Sequence, residues 1–103
     1  MNYNNGRFIL SGKKAIPCPD LLTWGKWIES ADRKVALDTV RKTKISTVFL
    51  GLDYNFNKEG DPILFETMIF GGKHNGFMER YETWEQAEAG HKKALAMVLG
   101  KAK

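Results

Sequence analysis

Cysteine is nearly absent: the chain holds one, Cys18, set between Pro17 and Pro19. A lone thiol has no intrachain partner, so a disulfide scaffold is excluded and a reducing cytoplasm is the expected setting. It also leaves no Cys-x-x-Cys pair, and with only two histidines, His74 and His91, no zinc-ligand spacing exists. Neither a metal nor a cofactor is expected. No apolar run approaches the roughly 20 residues of a bilayer-spanning helix. The opening MNYNNGRFILSGKK lacks the basic-then-apolar form of a secretory leader. No membrane association is therefore expected. Like charges never run to the roughly five or six that mark an interaction tail. Repeats, linkers and low-complexity segments are missing too. So are GxSxG, GxGxxG and GKS/T, which removes the nucleophile-elbow and phosphate-loop readings.

What is present reads as an ordinary globular domain. At 103 residues, 43% hydrophobic and 27% charged, the chain is long enough to bury roughly 60–70% of its unfolded surface. One compact domain over 1–103 is expected, with 1–19 as a peripheral hairpin or arm. The net charge is +4 and the pI near 9.3, a mild basic bias compatible with nucleic acid or an acidic protein partner. The basic residues are scattered, so solvated surface is the simpler account.

The organising stretch is Lys44 to Gly72, two β-branched and aromatic runs joined by a polar turn over 55–62. In the first, Thr47, Phe49, Gly51 and Asp53 alternate with Val48, Leu50, Leu52 and Tyr54. In the second, Leu64, Glu66, Met68 and Phe70 alternate with Ile63, Phe65, Thr67 and Ile69. Both faces carry apolar residues, so both are expected to be covered. Two helices are few for that, and a homodimer is the expected way to complete the cover.

Around this hairpin, 7–16 reads as a small hairpin turned at Ser11-Gly12. Asp20 sits as the N-cap of a helix over about 21–30, with Leu21, Trp24 and Ile28 on one stripe and Trp27 beside it. Gly25 within it implies either a close approach or a marginal helix. Val35–Val40 reads as a strand, and Phe77–Tyr81 as an edge strand. Thr83-Trp84-Glu85-Gln86 matches a capping box opening a helix over about 83–99, whose inner face holds Trp84, Ala87, His91, Ala94, Leu95 and Val98. The order predicts an α+β fold, an antiparallel meander with two helices.

Three polar side chains fall where apolar ones are expected: Asp53, Glu66 and His91. A carboxylate facing an imidazole is the raw material of acid–base chemistry, so these are the catalytic candidates, with His91 expected near Glu66 or Asp53. The structural alternatives are that Asp53 closes a turn, Glu66 pairs with Arg80, and His91 bonds a backbone carbonyl. Trp27, Glu66, Arg80 and His91 are the candidate binding residues, since aromatics and charged groups at the edges of apolar stripes recur at interfaces.

The segments STVFLGLDYNF (46–56), LFETMIFGG (64–72) and RYETWEQAEAGH (80–91) together resemble a family of small proteins of tailed bacteriophages and prophages. The resemblance spans about residues 20–98. It implies an accessory protein of the host bacterial cytoplasm, with no activity or site residue to carry over. The resulting expectation is a non-enzymatic binding protein acting on a host protein, as a defence-system inhibitor or a sequestering protein holding a small ligand. The alternatives are a nucleic-acid-binding accessory factor and a small enzyme using Asp53, Glu66 and His91.

Overall fold

In the computed structural model, which describes residues 6–56 and 59–100, the chain runs through β1 (Phe8–Ser11), β2 (Lys14–Pro17), α1 (Leu21–Ser30), β3 (Lys34–Val40), β4 (Thr43–Phe49), β5 (Phe65–Phe70), β6 (Met78–Tyr81) and α2 (Trp84–Leu99). β1 and β2 form a two-stranded antiparallel hairpin, and β3-β4-β5-β6 form a four-stranded antiparallel sheet in chain order. This is the α+β meander that the alternation patterns predict.

Register decides which residues face the core. Phe49 pairs with Phe65, Thr47 with Thr67 and Ile45 with Ile69, and all six are fully buried on one face beneath α2. Burying a side chain such as Phe49 or Ile69 contributes roughly 1.5–3 kcal/mol, so these central pairs dominate stability. Phe49, Phe65 and Leu64 join Phe8 and Ala87 in one cluster, while Ile45 and Ile69 join Ala94 in a second, further along α2. In the described part of the N-terminal hairpin, Phe8 enters the main cluster and Cys18 is buried.

The first central strand stops earlier than its apolar run suggests. β4 ends at Phe49, because Gly51 adopts a left-handed conformation (φ +80) that a pleated strand cannot hold. The bend brings Gly51 against Ile28 and Trp24 of α1, where an added Cβ would collide with the Ile28 side chain. The Gly51 carbonyl accepts from Phe8 N at 2.9 Å and from the Trp24 indole at 3.1 Å. Here β1, α1 and the sheet are tied together.

α2 forms as its sequence dictates. Thr83 accepts from Gln86 N at 3.1 Å, Gln86 Oε1 accepts from Thr83 N at 3.3 Å, and Gly100 closes the helix in a left-handed turn. α1 is weaker. Asp20 caps it by accepting from Thr23 N at 3.0 Å, yet none of its residues is fully buried, and Leu21 is 58% exposed rather than part of the inner stripe. Nothing lies within 4 Å of a Cβ built on Gly25, so of the two readings of that glycine the marginal helix holds.

Candidate functional site

The residues singled out from the sequence are not brought together. His91 lies on the inner face of α2, whereas Glu66 alternates with the buried Phe65 and Thr67 and so projects from the opposite face of the sheet. Asp53 lies in the connection after β4, where its carboxylate accepts from Asn55 N at 2.7 Å and Ile63 N at 2.9 Å. A catalytic grouping of Asp53, Glu66 and His91 is therefore overturned by the pleat itself: one residue of offset sends Glu66 to the far side of the sheet.

His91 has other partners. Its Nε2 lies 2.7 Å from Asp38 Oδ2 and its Nδ1 2.7 Å from Thr47 Oγ1, and Thr47 Oγ1 lies 2.5 Å from Thr67 Oγ1. An ionised carboxylate only accepts, so Nε2 donates to Asp38; in the neutral ring Nδ1 then accepts from Thr47, and Thr67 donates to Thr47. The Tyr81 hydroxyl, beside Thr67, donates to Glu79 Oε1 at 3.2 Å, and burial together with that carboxylate raises the Tyr81 pKa. A chain of polar groups thus crosses β3, β4, β5 and β6 beneath α2. The order hydroxyl, imidazole, carboxylate resembles a nucleophilic triad. However, Thr47 is fully buried between sheet and helix, so no substrate reaches its hydroxyl. The chain's role is to satisfy buried polar groups and fix α2 in register on the sheet.

Trp27 packs edge-on against Phe49, ring centroids 5.8 Å apart, so its ring serves the core. Glu66 and Arg80, paired across β5 and β6, bond at 2.9 Å, and the Arg80 guanidinium stacks on Tyr54 at 4.5 Å from the ring centroid. No group of three or more His, Cys, Asp and Glu residues suited to a metal ion occurs among the described residues. Nor, among the described residues, is any helix long and apolar enough to cross a membrane.

The site that emerges is the open face of the sheet. The expectation that both faces are covered fails: α2 packs across all four strands on one side, and the β1–β2 hairpin and α1 join the same side through Phe8 and Trp27. On the opposite side the cross-strand register groups Leu37, Val48, Met68, Phe70 and Met78 with Lys34, Lys44, Glu66 and Arg80. Leu37, Phe70 and Met78 are 49%, 43% and 44% exposed, and Val48 and Met68 are half-buried. Lys44 sits over the Phe70 ring at 5.5 Å. Sequence reasoning missed this surface because apolar residues on both faces read as two covered faces; the cations interleaved at Lys34, Lys44 and Arg80 were the signal that one face is wet.

No family model, curated protein or solved structure matches the chain.

Proposed function

We propose that this chain is a non-enzymatic binding protein that docks its open sheet face on a partner protein. The observation that carries the reading is the set of apolar residues Leu37, Val48, Met68, Phe70 and Met78, interleaved with Ser46 and the charged residues, on the antiparallel face that no helix covers. Apolar stripes rimmed by polar groups mark association surfaces, and methionines adapt to irregular partners. The rim holds three cations, Lys34, Lys44 and Arg80, against one carboxylate, Glu66, which Arg80 already pairs. The matching surface is therefore acidic at its edge. The sequence resemblance to bacteriophage proteins supports a host protein as that partner, and a defence protein is the target class we propose.

A second reading rests on two aromatic rings, Tyr54 and Phe70, each with a cation stacked on it. Single-stranded nucleic acid uses such platforms, with bases on rings and phosphates on cations. A second copy of this chain is the third occupant to test.

The test compares the parent with Leu37→Glu/Met78→Glu, both solvent-facing changes that leave the fold intact. Tagged protein is exposed to host lysate, to single-stranded DNA and RNA over a salt series, and to light scattering at tens of micromolar. The expected outcome is one host protein retained by the parent and lost by the variant, with no nucleic acid bound. Binding that weakens steeply with salt transfers the face to nucleic acid. A dimer abolished by the variant makes the second copy the occupant.

A further inference from the structure

On the side away from that face, a cleft of about 580 Å³ opens between the β1–β2 hairpin and the start of α2. Its volume lies within the roughly 300–1,000 Å³ range of small-molecule sites. The floor is apolar, made by Phe8, Leu64, Phe65 and Trp84. The hairpin brings two cations, Lys13 and Lys14, while the connections before β5 and before α2 bring three carboxylates, Asp61, Glu82 and Glu85.

None of these five charges forms an ion pair with another among the described residues. Lys13 instead rests over the Trp84 ring, 5.9 Å from its centroid. Charges of both signs around one cleft, unpaired and set over an aromatic floor, match a ligand that carries both signs itself. A molecule with a single charge would leave one set idle.

We propose that the cleft binds a short apolar peptide with free termini, its ammonium toward Glu82, Glu85 and Asp61 and its carboxylate toward Lys13 and Lys14. The apolar side chains lie on Phe8, Phe65 and Trp84. Lys13 leaves the Trp84 ring to meet the terminal carboxylate, and a ligand side chain takes its place there. The site is separate from the open sheet face, so either proposal stands if the other falls.

The test titrates the isotope-labelled full chain with the dipeptide Leu-Phe and follows amide resonances of the hairpin and the Trp84 indole N–H, which is buried without a protein partner. Three isosteres accompany it: N-acetyl-Leu-Phe, Leu-Phe-amide and the doubly blocked form. Saturable shifts confined to the cleft are expected with Leu-Phe, and each singly charged isostere is expected to bind about tenfold more weakly, as loss of a charged hydrogen-bonded partner implies. Lys13→Met/Lys14→Met should erase the preference for Leu-Phe over Leu-Phe-amide. Glu82→Gln/Glu85→Gln should reduce the preference over N-acetyl-Leu-Phe, with only Asp61 left to meet the ammonium. All four substituted residues are exposed, so melting temperatures should hold. Equal binding of all four compounds, or no saturable shift at the cleft, overturns the proposal on the parent protein alone.

Discussion

His91 and Asp38, 53 residues apart in sequence, meet at 2.7 Å and join α2 to the edge strand β3. The ring is 5% exposed while the carboxylate is 46% exposed, so one partner is core and the other surface. With Thr47 on its other nitrogen, His91 spends both ring atoms on the sheet. Removing the ring in His91→Ala takes one of the two partners of the buried Thr47 hydroxyl and leaves a void, and should cost about 1–3 kcal/mol, measured by urea denaturation. Asp38→Asn retains an acceptor and should cost clearly less. A His91→Ala variant as stable as the parent would show that the network does not hold the helix.

The Phe49–Phe65 pair makes the second case. Phe65 is 1% exposed and stacks between Phe49 and Trp84, with centroid distances of 5.3 and 6.2 Å. Phe65→Ala should lower stability by about 3–5 kcal/mol through lost burial and a cavity. Leu50, half-buried just beyond β4, should tolerate alanine better. Thermal melts of the two variants, run side by side, check the order.

Gly90 lies where the Tyr81 ring crosses α2, and a Cβ built there collides with the ring and its hydroxyl. Alanine elsewhere in a helix gains about 1 kcal/mol over glycine. Here overpacking of about 1–3 kcal/mol should win, so Gly90→Ala is expected to destabilise. Tyr81→Ala in the same chain should recover the helix-propensity gain, and the double-mutant cycle should give a non-zero coupling. Additive effects would place the ring elsewhere.

Two shifted titrations, those of Asp20 and Tyr81, act at opposite ends of the pH range. Asp20 is held below the usual carboxylate range, first by the Thr23 hydroxyl and then by the Thr23 amide. Folding therefore gains from its charge above the unfolded pKa and loses that gain as pH falls through the folded value. Asp20→Asn should flatten the acid limb of helical circular dichroism below about pH 4.

Tyr81 is raised above its ordinary 10.0, first by burial, so its stabilisation is complete below pH 10 and fades as pH climbs through the folded value. Tyr81→Phe should remove that alkaline loss while leaving neutral-pH stability nearly unchanged. A parent and Tyr81→Phe with identical alkaline limbs would refute it.

Much of this fold can be read from the residues alone. Alternation over 44–54 and 63–70, the Thr83 capping box and the Asp20 cap are local signals; β5 and both helices form within a residue or two of where these put them, while β4 ends at Phe49, well short of the Tyr54 end of its run. What could not be read was which face each strand turns inward. From sequence, His91 is awkward for a core, but its partners lie on β3 and β4, and only the register pairing Asp38 with Ile45 puts that carboxylate on the helix side. Asp38 stands two residues from both Ala36 and Val40 on the covered face, a polar break in an inward-facing series that was the available hint. Glu66 failed as a site residue for the mirror reason: a mid-strand carboxylate on the wet face needs only Arg80.

Every neighbouring pair of strands in the main sheet is also consecutive in the chain. Closing it requires no crossover, only turns and one connection from Leu50 to Leu64, which itself stays paired through Leu50 N to Leu64 O at 2.7 Å. Sheets of such local contacts assemble quickly, because little chain entropy is spent before a contact forms. The N-terminal hairpin and α1 attach through longer separations, at Phe8 N to Gly51 O and at the Trp24 indole, and α1 buries no residue fully. The molecule should thus open in two stages, with amides of β1, β2 and α1 exchanging with solvent while those of β4 and β5 stay protected until the whole chain unfolds.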